Sequence, residues 1–156
     1  MGNIMSKIVK SSTRKDIYVL LGDKHKGKTS TIKEIYRILS IKYPNCIIPK
    51  DRKNVYEMRI KMKIKVKKEY VLVGIYSCGD DPSLITPSLD LFAKDNCNVI
   101  FCAENVIPNS VTVSQWANSN SYKMTPILQN IVDPKYQAKT NYKTAKDIIT
   151  NKAHLL

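Results

Sequence analysis

Histidine is scarce, with two in 156 residues, and the four cysteines (Cys46, Cys78, Cys97 and Cys102) contain no C-x-x-C pair. A zinc site needs clustered thiolate and imidazole ligands, so this composition argues against one. Cys78, Cys97 and Cys102 lie in or beside apolar, strand-like runs. That placement reads as reduced, buried thiols and a cytoplasmic setting. Arginine is scarce as well: Arg14, Arg37, Arg52 and Arg59 stand against 22 lysines. Lysine meets phosphate as a point charge rather than as a bidentate fork, so fine base reading by guanidinium is not advertised. No apolar run approaches the ~18–20 residues of a membrane-spanning helix, and no cleavable signal segment is expected. Acids are the minority, 13 against 26 Lys and Arg, leaving a net charge of +13. A polyanionic partner is therefore allowed.

The rest of the composition is ordinary for a globular protein, with 43% hydrophobic and 25% charged residues. The length suits one domain on the usual ~150-residue scale. Residues 1–15 read as a basic lead-in and 16–156 as the domain. Met1-Gly2-Asn3-Ile4-Met5-Ser6 fits M-G-x-x-x-[ST], an N-myristoylation pattern short enough to arise by coincidence.

Asp16 to Leu21 is a short continuous apolar run of strand formers, the type buried on both faces of a parallel sheet. Thr29 to about Lys42 places Ile32, Ile35, Tyr36, Ile38 and Leu39 at helical spacing. Residues 55–66 alternate Met58, Ile60, Met62, Ile64 and Val66 with Arg59, Lys61, Lys63 and Lys65. Period 2 predicts a half-exposed strand with one basic face. Tyr70 to Tyr76 follows after too short a connection for a crossover, so 55–76 is expected to be an antiparallel hairpin. A helix over Pro87–Asp95, a strand over Asn98–Ala103, a helix over 110–120, a strand over Met124–Leu128 and a basic helix over Lys139–Leu156 complete the reading. The alternation predicts a three-layer α/β/α sandwich with a mostly parallel sheet and one inserted antiparallel strand.

One segment carries chemistry. Gly22-Asp23-Lys24-His25-Lys26-Gly27-Lys28-Thr29 is G-x-x-x-x-G-K-[ST], and it lies between the buried strand and the amphipathic helix. Glycines at both ends let successive N–H groups turn into one cavity. The helix start adds unsatisfied donors and a positive dipole end. Lys28 can reach β- and γ-phosphates, Thr29 can ligate Mg²⁺, and Ser30 or Thr31 can touch an α-phosphate. Lys24, His25 and Lys26 raise the local positive potential; His25 reads as a loop residue rather than a general base.

These residues resemble the P-loop (Walker A) NTPase superfamily, of the small GTPase-like or kinase-like kind. The resemblance implies ATP, or GTP, with Mg²⁺, and an acid at the tip of a neighbouring strand. Here the strand Val71–Tyr76 ends in Ser77-Cys78-Gly79-Asp80-Asp81-Pro82. Asp80 is the candidate to support Mg²⁺ or a water, with Ser77 behind it; the competing reading is a solvated turn. The Gly79 turn and the hairpin before it are similar to the γ-phosphate-sensing turn of GTPases, although Tyr76 stands where their aspartate is expected. Asn130-Ile131-Val132-Asp133 departs from their N-K-x-D by losing the lysine.

The leading expectation is a Mg²⁺-dependent ATPase acting at the β–γ bond, with Lys28 and Asp80 as the chemical residues and a regulatory or partner-coupled role. The alternatives are a small nucleoside or nucleotide kinase, disfavoured by the few arginines, and a GTP-binding or non-hydrolysing nucleotide-binding module acting on nucleic acid. The stripe Arg59, Lys61, Lys63, Lys65 and Lys67 could meet nucleic acid or an acidic protein. It is also how an edge strand avoids aggregation. No aromatics are interleaved with it in sequence, which argues against stacking on single strands.

Overall fold

The computed structural model describes residues 10–22, 27–44, 59–77, 82–105, 112–128 and 133–156. Its sheet has six strands: β1 (Lys10–Ser11), β2 (Asp16–Gly22), β3 (Arg59–Val66), β4 (Glu69–Tyr76), β5 (Val99–Asn105) and β6 (Lys123–Leu128). The helices are α1 (Lys28–Lys42), α2 (Pro82–Lys94), α3 (Thr112–Ser119) and α4 (Gln137–Asp147). A short 3₁₀ turn (Pro134–Tyr136) precedes α4, and a π turn (Ile148–Lys152) follows it.

Every pairing is parallel except β3 with β4, which is the expected antiparallel hairpin, turned at Lys67 with φ 56°. Along the sheet the order is β4, β5, β2, β6. β3 occupies one side of β4, while β1 and β5 share the other. Pro126 lies in β6, an outer strand, where the lost N–H costs no ladder bond on a central strand.

Strand residues alternate between two apolar layers. Tyr18 and Leu20 of β2 pack with Ile32, Ile35 and Leu39 of α1 and Ala145 of α4. Ile17 and Val19 face the other way, toward Leu89 and Phe92 of α2 and Val113 and Trp116 of α3. Helices thus cover both faces of an α/β sheet. Each of the fully buried Ile32, Ile35 and Leu39 contributes on the order of 2 kcal/mol of transfer free energy, which holds α1 against the sheet.

Four sequence expectations change. The strand before Ser77 is not a neighbour of β2, because β5 lies between them. Sheet order is set by non-local packing that no local pattern carries. The second helix starts at Pro82, not Pro87; Pro87 sits inside it, on an exposed position where the carbonyl it leaves unpaired can meet water. The lead-in is not wholly outside the domain, since Lys10 and Ser11 pair with Glu69 and Tyr70. The last helix starts earlier and widens to a π turn at Ile148, which brings both Ile148 and Ile149 into the core.

Two side chains tie these ends together. Asn98 donates from Nδ2 to the Ser12 and Arg14 carbonyls at 2.9 and 3.1 Å and accepts from the Leu72 N–H at 2.9 Å. Arg14 pairs with Asp16 at 2.8 Å and donates to the Ala153 carbonyl at 2.8 Å and to the Tyr18 hydroxyl at 3.2 Å. One of the chain's few arginines is therefore a staple between the first strands and the last turn.

Candidate functional site

The site forms at the C-terminal end of β2. Gly22 is the last residue of that strand, and Gly27 caps α1. Gly27 has φ 77° and ψ 12°, a left-handed conformation that residues with a Cβ adopt at a cost. Space forbids a side chain as well: a Cβ there would sit 2.7 Å from Gln137 Nε2 and 2.9 Å from Asn141 Oδ1. Gln137 donates to Asn141 at 2.7 Å, so this polar pair on α4 lies directly on the glycine.

Lys28 is buried, with 4% of its surface exposed, and its ammonium donates to the Gly22 carbonyl at 2.9 Å. This contact joins the two ends of the loop. The Thr29 hydroxyl donates to the Ser77 carbonyl at 3.2 Å. Ser77 is fully buried at the tip of β4. β4 is two strands from β2, roughly 9–10 Å away at ordinary strand spacing. Because α1 packs across β5 as well as β2 and β4, its first turn reaches the β4 tip over the intervening strand.

Ser30 is exposed on that first turn, whereas Thr31 is fully buried and its N–H donates to the Gly27 carbonyl at 2.9 Å. Of the two hydroxyls considered for an α-phosphate, Ser30 is the accessible one. Among the described residues α1 has no side-chain hydrogen bond at its N-cap and no acid in its first turn, and the positive end of a helix dipole favours negative charge.

Asp23, Lys24, His25, Lys26 and Asp80 lie outside the described residues, as do Cys46, Cys78, Arg52, Gly2 and Asn130–Val132. Tyr76, at the position where a GTPase turn would carry aspartate, is buried against α2 and α3 and serves packing. Asp133 accepts the Tyr136 N–H at 2.8 Å through its carbonyl and so opens the 3₁₀ turn.

Some participants carried no local signal. Glu104 is a buried carboxylate on β5, in register with Leu21 one residue before the loop. Its Oε1 accepts the Thr112 N–H at 3.1 Å, which places its charge at the start of α3. Gln137 and Asn141 reach Gly27 only through the tertiary fold. Among the described residues no three of His, Cys, Asp and Glu gather into a metal-binding group. The two described thiols are chemically quiet: burial and the nearby Asp95 carboxylate push Cys97 up to about 12, and burial raises Cys102 as well.

Among the described residues no helix is long and apolar enough to cross a membrane. No family model matches the chain, and no curated protein matches it in sequence. The functional reading rests on the geometry at the two ends of the loop, Gly22 and Gly27–Thr29.

Proposed function

We propose that the chain is a P-loop nucleotide-binding protein that holds a nucleoside triphosphate, with ATP favoured, on the segment from Gly22 to Ser30 and hydrolyses its β–γ bond with Mg²⁺. One observation carries the reading: the buried Lys28 ammonium and the left-handed Gly27 stand together at an uncapped helix start, at the end of a central parallel strand. A buried cation needs anionic or strongly polar surroundings, and phosphate oxygens are of that kind. A triphosphate would meet the Lys28 ammonium, the first-turn amides of α1 and the exposed Ser30 hydroxyl at once.

The Thr29 hydroxyl and the phosphates themselves are oxygen donors of the kind Mg²⁺ takes, with waters completing its shell. Bound there, the ion would neutralise charge on the phosphate oxygens. The chain's own part is to orient: Gly27 sets the loop's exit, Lys28 holds the phosphate end, and the Ser77 carbonyl fixes the Thr29 hydroxyl. Asp80 is proposed as the residue that orients the attacking water.

Calorimetric titration with ATP and with GTP, each with Mg²⁺, followed by phosphate release on the same sample, tests this. Lys28→Ala should weaken triphosphate binding by about tenfold to a hundredfold, the loss of a charged hydrogen bond. Asp80→Asn should bind and fail to turn over. Lys28→Ala binding ATP–Mg²⁺ as well as the wild type would overturn the assignment.

A further inference from the structure

At the end of the sheet opposite the loop, the fold gathers lysines that are far apart in sequence. Lys10 enters β1 and its N–H bonds to the Lys68 carbonyl in the hairpin turn. Lys63 and Lys65 extend from β3, and Lys67 turns the hairpin. Lys123 opens β6 with its N–H on the Lys15 carbonyl. All seven are exposed. The acids described at this end are largely engaged: Asp95 pairs with Lys61, and Asp16 with Arg14. Glu69 is exposed beside Lys10.

Between β1, the hairpin and the end of α2 lies an open furrow of about 410 Å³. Lys15, Lys63, Tyr70, Ser11, Thr13 and Asn96 line it. A second hollow of about 70 Å³, bordered by Arg59, Lys61 and Leu91, carries the track along β3; Asp95 lines both. Tyr70 is 36% exposed, and the Lys63 ammonium stands 4.6 Å from its ring centroid. The pairing of Lys65 with Tyr70 brings the ring into the basic stripe across the hairpin. The stripe does include an aromatic, contributed by the partner strand.

We propose that this furrow binds single-stranded nucleic acid, with phosphates on Lys63, Lys65 and Lys15 and a base stacked on Tyr70. Alternate residues of a strand recur every ~6.8 Å, so Lys63 and Lys65 set two point charges at the spacing of an extended polyanion, next to the Lys61–Asp95 pair. Lysines contact phosphate without selecting sequence, and an aromatic face accepts any base. A lipid surface fits less well. Among the described residues Tyr70 and Leu91 are the large apolar side chains exposed beside the track, and Ile41, Leu128 and Tyr136 lie on other elements. The furrow is separate from the loop, so this inference stands apart from the nucleotide reading.

Fluorescence anisotropy with labelled oligo-dT and oligo-U across a salt series tests it. Binding should weaken steeply with salt, and replacing Lys63 and Lys65 together by Glu should reduce the slope and lower affinity more than tenfold. Tyr70→Ala should lose about tenfold, and Tyr70→Phe should retain binding, which separates stacking from damage to the fold. Circular dichroism melts of each variant check that the hairpin is intact. Wild-type affinity in the Lys63/Lys65 charge reversal, tighter binding of duplex with Tyr70→Ala silent, or binding confined to phosphatidylserine vesicles would each overturn the proposal. Loss of single-strand binding in these variants with ATP binding unchanged would support it.

Discussion

The hydroxyl of Thr29, at the start of α1, donates to the carbonyl of Ser77, at the end of β4, although β5 separates β4 from the strand that leads into the loop. The contact ties the helix start to a strand tip two places away, and it orients the hydroxyl to which the proposed function gives the Mg²⁺. Thr29→Val keeps the shape and removes the donor. Stability should fall by about 1 kcal/mol, the usual net worth of one hydrogen bond. ATP affinity in the presence of Mg²⁺ should fall about tenfold, the scale of one lost charge-assisted contact, while binding in EDTA should be unchanged. Calorimetry with and without the ion separates the two effects, and Thr29→Ser should restore both.

Gly27 is constrained twice, by its left-handed backbone and by Gln137 and Asn141 above it. Gly27→Ala should cost about 1–2 kcal/mol from the backbone alone, with more from the clash. Gln137 is the flexible member of the pair. Urea unfolding of Gly27→Ala in a Gln137→Ala background should recover the Gln137 share of the steric cost and leave the backbone part and the Asn141 contact. Full recovery would mean that the left-handed conformation costs nothing there.

Gly74 is constrained by packing only. A Cβ on it would lie 2.8–3.0 Å from three ring carbons of Phe92, itself buried between α2 and the sheet. Gly74→Ala should destabilise by about 1–3 kcal/mol, the range for overpacking a close-packed core. Phe92→Leu should make the same alanine tolerable. The pair should therefore be non-additive in a double-mutant cycle read by denaturant unfolding.

The parts that were legible in the sequence are those set by local periodicity. Ile32, Ile35 and Leu39 mark the buried face of α1, and Ile60, Met62 and Ile64 mark the buried face of β3. The G-x-x-x-x-G-K-[ST] spacing located the loop. What was hidden depends on which elements become neighbours. The insertion of β5 beside β2 and the descent of Gln137 and Asn141 onto Gly27 join residues far apart in the chain, and the meeting of Lys63 with Tyr70 depends on the register of the hairpin. The early start of α2 was hidden because Pro87 reads locally as a first-turn proline, and Pro82 takes that place.

Alkaline conditions should destabilise the protein through its buried weak acids. Burial, with Asp95 nearby, raises the Cys97 thiol from 9.0 to about 12, and burial raises the Tyr122 phenol from 10.0 to about 12. Tyr122 also donates to the Cys97 carbonyl at 2.6 Å, so the two groups occupy one patch beneath α3. In the unfolded chain both ionise near their ordinary values, while the folded chain keeps their protons. Above about pH 9 the unfolded state therefore binds fewer protons, and stability falls as pH rises. The contribution is fully present below pH 9 and is lost progressively as pH climbs toward about 12. Thermal unfolding at pH 8 and at pH 10.5 should show a clear drop in Tm for the wild type. Cys97→Ala should begin from a lower Tm, because a buried side chain is trimmed, and should lose less between the two pH values. An equal drop in both proteins would mean that Cys97 ionises in the folded state as readily as in the unfolded one.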